Sequence, residues 1–558
     1  MEKIVECVPN FSEGRNKAVI EAIADEIRQT EGVMLLDVDP GAATNRTVVT
    51  FVGEPDAVVE AAFRAIKKAA ELIDMRKHQG EHPRIGATDV CPFVPVSGVT
   101  MQDCVELAHR LGKRVGEELG IPVYLYEEAA TRPERRNLAD IRKGEYEGLP
   151  EKLKDPNWTP DYGPAEFNPK SGATVIGARE FLIAYNVNLN TRDRKLAQEI
   201  ALNIREMGRA KRDKDGKIIR DQAGNIVRVP GKLKAVKAVG WYIDEYACAQ
   251  VSMNLVNWKV TPPHVAFDEI CKEAEKLGLR VTGSELVGLI PLQAMLAAGR
   301  YFLEKQGKSP GVPEAELIRV AVQSMGMSEF APFDPKQKII EYRIREPRGA
   351  LANLPSGDFA DSVSMESPTP GGGSVAALAG ALGAALTAMV ANLTVGKKDY
   401  EVSWETMKEV AIKAQKKKDA LLRAIDRDSE AFDKVMAAFG LPKRTDEQKA
   451  ERERAIEEAT KGAASVPLEV LETAVSVLEL TRSVAELGNA NAVSDAGTAA
   501  AVALAAAKGA YLNVLVNTRE LEDREWAEDH EQEAEKLLQK AQGLAEEIQA
   551  TVLERISS

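Results

Sequence analysis

Between Gly371 and Gly396 the chain runs for 26 residues without a charge. That is long enough to cross a membrane as a helix. The run is mostly Ala, Gly, Ser and Thr, with Asn392 near its end, and such side chains gain little from lipid. The expected form is a helix buried among other helices, because small side chains let helix backbones approach closely. The surrounding sequence agrees. Beyond the Pro- and charge-rich stretch Pro332–Pro355, the chain is rich in Ala, Leu and Glu, has helical periodicity almost throughout, and carries few Gly or Pro after Gly396. Residues 356–558 therefore read as an all-α domain and 332–355 as a linker.

The first 331 residues follow another pattern. Strand-like runs at Lys3–Val8, Val33–Val38, Arg46–Val52 and Val90–Val96 alternate with amphipathic segments at Asn16–Gln29 and Ala57–Ile73, in the order βαββαβ. A helix at Met101–Leu119 and a strand at Pro122–Tyr126 follow. The same order recurs from Phe181 to Thr282. The fold class is thus multidomain: two tandem ferredoxin-like α/β subdomains (α+β), over 1–178 and 179–331, followed by the all-α domain. Lys211–Val229 holds two turn signals, around Asp215-Gly216 and Gly224-Asn225, and reads as an inserted, exposed hairpin without a catalytic role.

With 558 residues and a net charge of -13 without a long basic block, the chain is expected to be soluble, with neither nucleic acid nor membrane as partner. Its five cysteines include no CxxC pair and its five histidines no HExxH, which points away from a disulfide framework and away from a metal. The N-terminus, MEKIVECVPNF, lacks the pattern of a signal peptide, so the expected location is cytoplasmic.

Chemistry concentrates in Gly80–Val96, GEHPRIGATDVCPFVPV. Glu81, His82, Arg84 and Asp89 fall within ten residues, and the interspersed Gly and Pro preclude a continuous helix. An imidazole between carboxylates and a guanidinium at the mouth of a strand suits proton transfer near neutral pH, although ion pairs that merely fasten a loop use the same residues. Together with CVPNFSEGR at Cys7–Arg15, the stretch resembles the glutamate formiminotransferase family. The resemblance makes His82 the general acid/base. It also matches a folate-binding loop at Gly163, Pro164, Ala165, Glu166, Phe167, Asn168, Pro169, Lys170, Ser171 and Gly172, and a second folate contact at Leu202, Asn203 and Ile204. The long irregular stretch Ala129–Ala173 then reads as a lid and anion-binding wall. From charge type and proximity, Asp39, Glu81 and Asp89 are candidates to stabilise a developing cation, and Arg46 and Arg84 to hold substrate carboxylates.

A second constellation lies in the helical part. SPTPGGGS (Ser367–Ser374) opens the uncharged run. Its glycines expose N–H groups at a helix start, where a carboxylate is favoured. With the uncharged run itself, IDRDSEAF (Ile425–Phe432) and SVPL (Ser465–Leu468), it resembles the formiminotetrahydrofolate cyclodeaminase domain. The resemblance puts the catalytic carboxylate at Asp428. Asp426, two residues away, points to another side of the helix and is expected in solvent. Asp495 is a weaker candidate, since Asp near a helix start is more often a cap.

The two resemblances, in this order, imply a folate enzyme of histidine degradation. It would take N-formimino-L-glutamate and tetrahydrofolate as small-molecule substrates, the folate as a polyglutamylated cosubstrate, and work as a homo-oligomer without a metal. From charge placement alone, Lys397–Lys398 and Lys416–Lys418 are candidates to hold the folate tail, although such lysines also form an ordinary solvated face. Two alternatives stay open on sequence alone: a formyl rather than formimino donor, and a second domain that only binds folate or serves as structure.

Overall fold

The computed structural model describes residues 3–42, 44–80, 83–344 and 349–558. By compactness the chain divides into Met1–Ala294 with Met325–Ile344, and Met295–Ser324 with Arg345–Ser558.

In the first unit, β1 (Ile4–Cys7), β2 (Asn10–Phe11), α1 (Lys17–Arg28), β3 (Val33–Gly41), β4 (Arg46–Gly53), α2 (Pro55–Leu72) and β5 (Thr88–Ser97) follow the expected order. They are extended by α3 (Met101–Leu119), β6 (Val123–Glu127), α4 (Leu138–Ile141), α5 (Glu145–Lys152) and β7 (Thr174–Ala178). β3 pairs with β4, β4 with both β1 and β2, and these two with β5, all antiparallel. β7 and β6 then add in parallel beyond β5. Cys7, Phe51 and Phe93 stand opposite one another across β1, β4 and β5 and join one core with residues of α1, α2 and α3. Alternation along the strands sends Asn10 and Arg46 to the other face, where the polar site forms.

Helix ends follow local chemistry. α3 starts on a capping box, Thr100 with Asp103, and stops at Gly120 in the left-handed region.

The second sheet comprises β8 (Ile183–Leu189), β11 (Val236–Ile243), β12 (Cys248–Leu255) and β13 (Val281–Val287). It has the order β11-β12-β8-β13 and is antiparallel throughout. α6 (Arg194–Ile204) packs on β11 and β12, and α7 (Pro263–Lys276) on β8 and β13. β13 runs to Val287, well past the short strand expected near Leu279–Thr282, since Glu285 and Leu286 continue the pairing to Asn186 and Tyr185. The expected insertion contains β9 (Arg209–Ala210) paired with β10 (Arg228–Val229), and two tight turns closed by the bridges Arg212 to Ile218 and Arg220 to Ile226. Part of the expected linker is helical: α10 (Pro335–Lys338) and α11 (Ile340–Ile344) belong to the first unit, with Ile339 bridging to Ile290.

The division between units falls within α8 (Leu292–Lys305), so α9 (Glu314–Ser324) belongs to the second unit. There α12 (Ser356–Val363), α13 (Gly372–Thr394), α14 (Trp404–Phe439), α15 (Asp446–Leu487), α16 (Val493–Thr518) and α17 (Arg524–Ser557) follow. The uncharged run is α13. It packs against α14, α15 and α16 in a core largely of alanines, including Ala377, Ala384, Ala503 and Ala507. α15 continues through Pro467. α13 and the segment containing α16 are both long and apolar enough to cross a membrane, and both are partly buried in this bundle.

Candidate functional site

The loop before β5 carries the residues expected to do acid–base work. Glu81 and His82 lie outside the described residues. Their neighbours define the surroundings. Arg84 Nε donates to His78 Nδ1 at 3.1 Å, so Nδ1 is the acceptor and Nε2–H donates to the Asn45 carbonyl at 2.8 Å. Burial pushes the His78 pKa down, with the Asn45 carbonyl opposing. With Nδ1 accepting from Arg84 and Nε2–H given to Asn45, both ring nitrogens of His78 are already engaged and the neutral ring is favoured.

Arg84 is 7% exposed and fully engaged. It donates to Glu145 at 3.0 Å and to Glu147 at 2.9 and 2.8 Å. Two carboxylates from α5 thus occupy the guanidinium that the sequence suggested for a substrate carboxylate. Arg84 instead closes one wall of a cleft of about 720 Å³ between His78–Gly80 and Gly144–Glu147. Asp89, 1% exposed, accepts from the Ile85 N–H at 3.0 Å and from Nε and Nη2 of Arg142, the residue that ends α4. Arg46 donates through Nη2 to the Asn10 amide oxygen, and Asn10 is itself held by Nδ2–H to Val8 O at 2.9 Å. Burial lowers the Arg46 pKa, the charge of Asp89 opposes this, and nearby Arg142 adds to it. Asp39, exposed on β3 opposite Val48, also favours the Arg46 cation.

The expected folate loop folds against this site. Asn168 caps its turn, with Oδ1 accepting from the N–H groups of Lys170 (3.2 Å) and Ser171 (3.0 Å). Lys170 O accepts from Met75 N–H, Ser171 O from Ala87 N–H, and Pro169 O from the Tyr146 hydroxyl at 2.6 Å. Gly172 has φ +67, and a Cβ there would lie 2.2 Å from Ile85 O, so only glycine allows the two loops to meet. Phe167 lies against Tyr146 with ring centroids 5.4 Å apart, while Pro164–Glu166 are exposed. Leu202, Asn203 and Ile204 end α6. Ile204 is wholly buried, and Asn203 is tied to Glu273 (2.8 Å) and Arg209. Those contacts give 202–204 a structural use within their own subdomain.

In the second unit, Asp428 on α14 meets the first turn of α13. Its carboxylate accepts from the Ser374 hydroxyl at 3.0 Å and from the Ser374 N–H, a donor left free by the helix start. Ser374 is fully buried and also faces Ile425 O at 2.9 Å. A Cβ on Gly373 would lie 2.1 Å from Asp428 Oδ1, so the glycine-rich opening is what admits the carboxylate. Burial raises the Asp428 pKa against the lowering by Ser374. Asp426 is not in solvent. It accepts from the N–H groups of Leu351 (2.9 Å) and Ala352 (3.1 Å), binding the segment before α12. Asp495 lies in the first turn of α16, not at its cap.

Asp428 serves as a base only when ionised, and Ser374 favours the ionised form. Ser374→Ala should therefore move the acid limb of a reaction that uses Asp428 as its base to higher pH; an unmoved limb in a pH–rate profile would show that Ser374 does not act on Asp428.

A family model described as the formiminotransferase domain, N-terminal subdomain, matches residues 4–179; the formiminotransferase domain matches 184–345 and formiminotransferase-cyclodeaminase 355–536. The formimidoyltransferase-cyclodeaminase of Rattus norvegicus is 46% identical over 97% of each chain. The glutamate formimidoyltransferase of Streptococcus pyogenes is 46% identical over 54% of this chain and 94% of its own. The methenyltetrahydrofolate cyclohydrolase of Methylorubrum extorquens is 46% identical over 36% of this chain and 96% of its own.

Proposed function

This chain belongs to the formimidoyltransferase-cyclodeaminase family, and we propose that it runs two folate reactions of histidine degradation in succession. The first unit transfers the formimino group of N-formimino-L-glutamate to N5 of tetrahydrofolate and releases glutamate. The helical unit then closes N10 onto the same carbon and expels ammonia, leaving 5,10-methenyltetrahydrofolate. The observation that carries this reading is likeness to a bifunctional relative along nearly the whole of both chains.

His82 holds and returns the proton as N5 attacks the formimidoyl carbon, and Asp428 takes the proton from N10. Asp39 and Glu81 offset the cationic centre that develops, while Asp89, already taken up by Arg142 and the Ile85 N–H, holds the loop instead. Folate lies along Gly163–Gly172, a role supported by the fastening of that loop to Met75, Ala87 and Tyr146. The contact at Leu202–Ile204 has less support, since Asn203 and Ile204 are already used internally. The reading of both sheets as ferredoxin-like is supported by their strand orders; of the bounds 1–178 and 179–331, the second is cut by Met295–Ser324, which group with the helical unit.

The cosubstrate is the polyglutamylated form, the working place is the cytoplasm, and neither a metal, a membrane nor nucleic acid takes part. Exposed Lys398 and Lys416 support a tail site more than Lys397 and Lys418, which donate to Asn489 and Gln415. Self-association is supported by exposed Val375, Leu382, Met389 and Leu393 at heptad-like spacing along α13, with Leu512 and Val516 on α16.

A second reading of the helical unit, hydrolysis of the methenyl product, is favoured by its likeness to the Methylorubrum cyclohydrolase. One assay separates the readings. With N-formimino-L-glutamate, the purified chain should release ammonia as methenyl product forms. Equal turnover of N-formyl-L-glutamate, or loss of methenyl product without ammonia release, would overturn the proposal.

A further inference from the structure

The polar centre of the first unit holds a guanidinium that has no ion pair among the described residues. Asp89 is taken up by two donors of Arg142 and by the Ile85 N–H. Arg46 makes no ion pair with any of the described residues. Its Nη2 goes to the neutral Asn10 amide, and its Nε is buried without a hydrogen-bond partner among them. Asp89 and Asp39 act on Arg46 through space but neither forms an ion pair with it, and desolvated charge is ordinarily matched by an opposite one in contact. A planar guanidinium fastened at one nitrogen to a neutral amide keeps other N–H groups for a carboxylate.

We propose that Arg46, held by Asn10 and left without an ion pair among the described residues because Arg142 occupies Asp89, is the subsite for a carboxylate of the amino-acid donor. The assignment rests on the transfer reading above and names the residue that selects an acidic donor. A carboxylate could also come from the glutamyl part of folate. The donor is the better fit because Asp89 belongs to the same short stretch of sequence as the acid–base residues, and the donor's carboxylates are tied to the reacting group by a short chain. Arg142 is a positioning residue: without it, Asp89 is free to neutralise Arg46.

The test is calorimetric titration of the full chain with L-glutamate, and separately with tetrahydrofolate. Arg46→Gln should weaken glutamate binding by about 10- to 100-fold, the scale of a lost charged hydrogen bond, with partial recovery in Arg46→Lys. Arg142→Gln should weaken it too, while tetrahydrofolate affinity stays unchanged in all three. Unchanged glutamate affinity in variants that melt like the parent would overturn the proposal. So would a loss confined to tetrahydrofolate, or no glutamate binding by the parent chain. Turnover of N-formimino-L-glutamate by the unaltered chain reports on the transfer reading independently.

Discussion

An Asp428→Asn enzyme supplied with N-formimino-L-glutamate and tetrahydrofolate accumulates 5-formiminotetrahydrofolate. The physical basis is narrow. The carboxylate is half-buried, is held at the first turn of α13 by Ser374, and is raised in pKa by burial against the opposing effect of Ser374. Asparagine keeps the shape and can still accept from the Ser374 hydroxyl, but it cannot take the N10 proton. Removing a positioned general base costs ~10²–10⁴-fold, so cyclisation of supplied 5-formiminotetrahydrofolate should fall by that factor. Glutamate release should stay near that of the parent. Cyclisation within a factor of a few of the parent would remove Asp428 from the catalytic role and leave it as a cap for α13.

The second large effect is expected at the other site. His82→Ala should lower glutamate release by a comparable ~10²–10⁴-fold while supplied 5-formiminotetrahydrofolate is still cyclised. His78 gives the built-in comparison. It lies four residues away, but it is fastened as a neutral ring between Arg84 and Asn45. His78→Gln should change the pH dependence of transfer much less than His82→Gln. If the two variants are equally impaired and both remain folded, the proton is not carried by His82 specifically.

Much of this was legible in the sequence, and what was not has a common cause. α13 could be read from an uncharged run that fits neither water nor lipid, and β5 from an apolar stretch after a Gly- and Pro-punctuated loop. The glycine-rich opening before Ser374 pointed to a helix start that admits an anion. The partners of the charged groups were hidden. Arg84 meets Glu147 across 63 residues, Asp89 meets Arg142 across 53, and Ser374 meets Asp428 across 54. Charge type says that such groups need partners, but only the folded sheet and bundle decide which ones. That is why charge type alone points to Arg84 as a substrate ligand although α5 supplies it with carboxylates. It is also why Asp426 was assigned to solvent, although it binds backbone N–H groups 74 and 75 residues upstream. Arg142 gave no sequence signal, lying among other charges in an irregular stretch.

The central claim is that one chain carries two successive reactions at two separate sites. It is tested most directly by mixing His82→Ala and Asp428→Asn proteins, each fully folded, with N-formimino-L-glutamate and tetrahydrofolate. Neither variant alone should make 5,10-methenyltetrahydrofolate at an appreciable rate. The mixture should make it after a lag that shortens as more His82→Ala protein is added, because the intermediate released by one is cyclised by the other. Failure of the mixture to form the methenyl product, with both proteins folded and 5-formiminotetrahydrofolate detectable, would contradict the account.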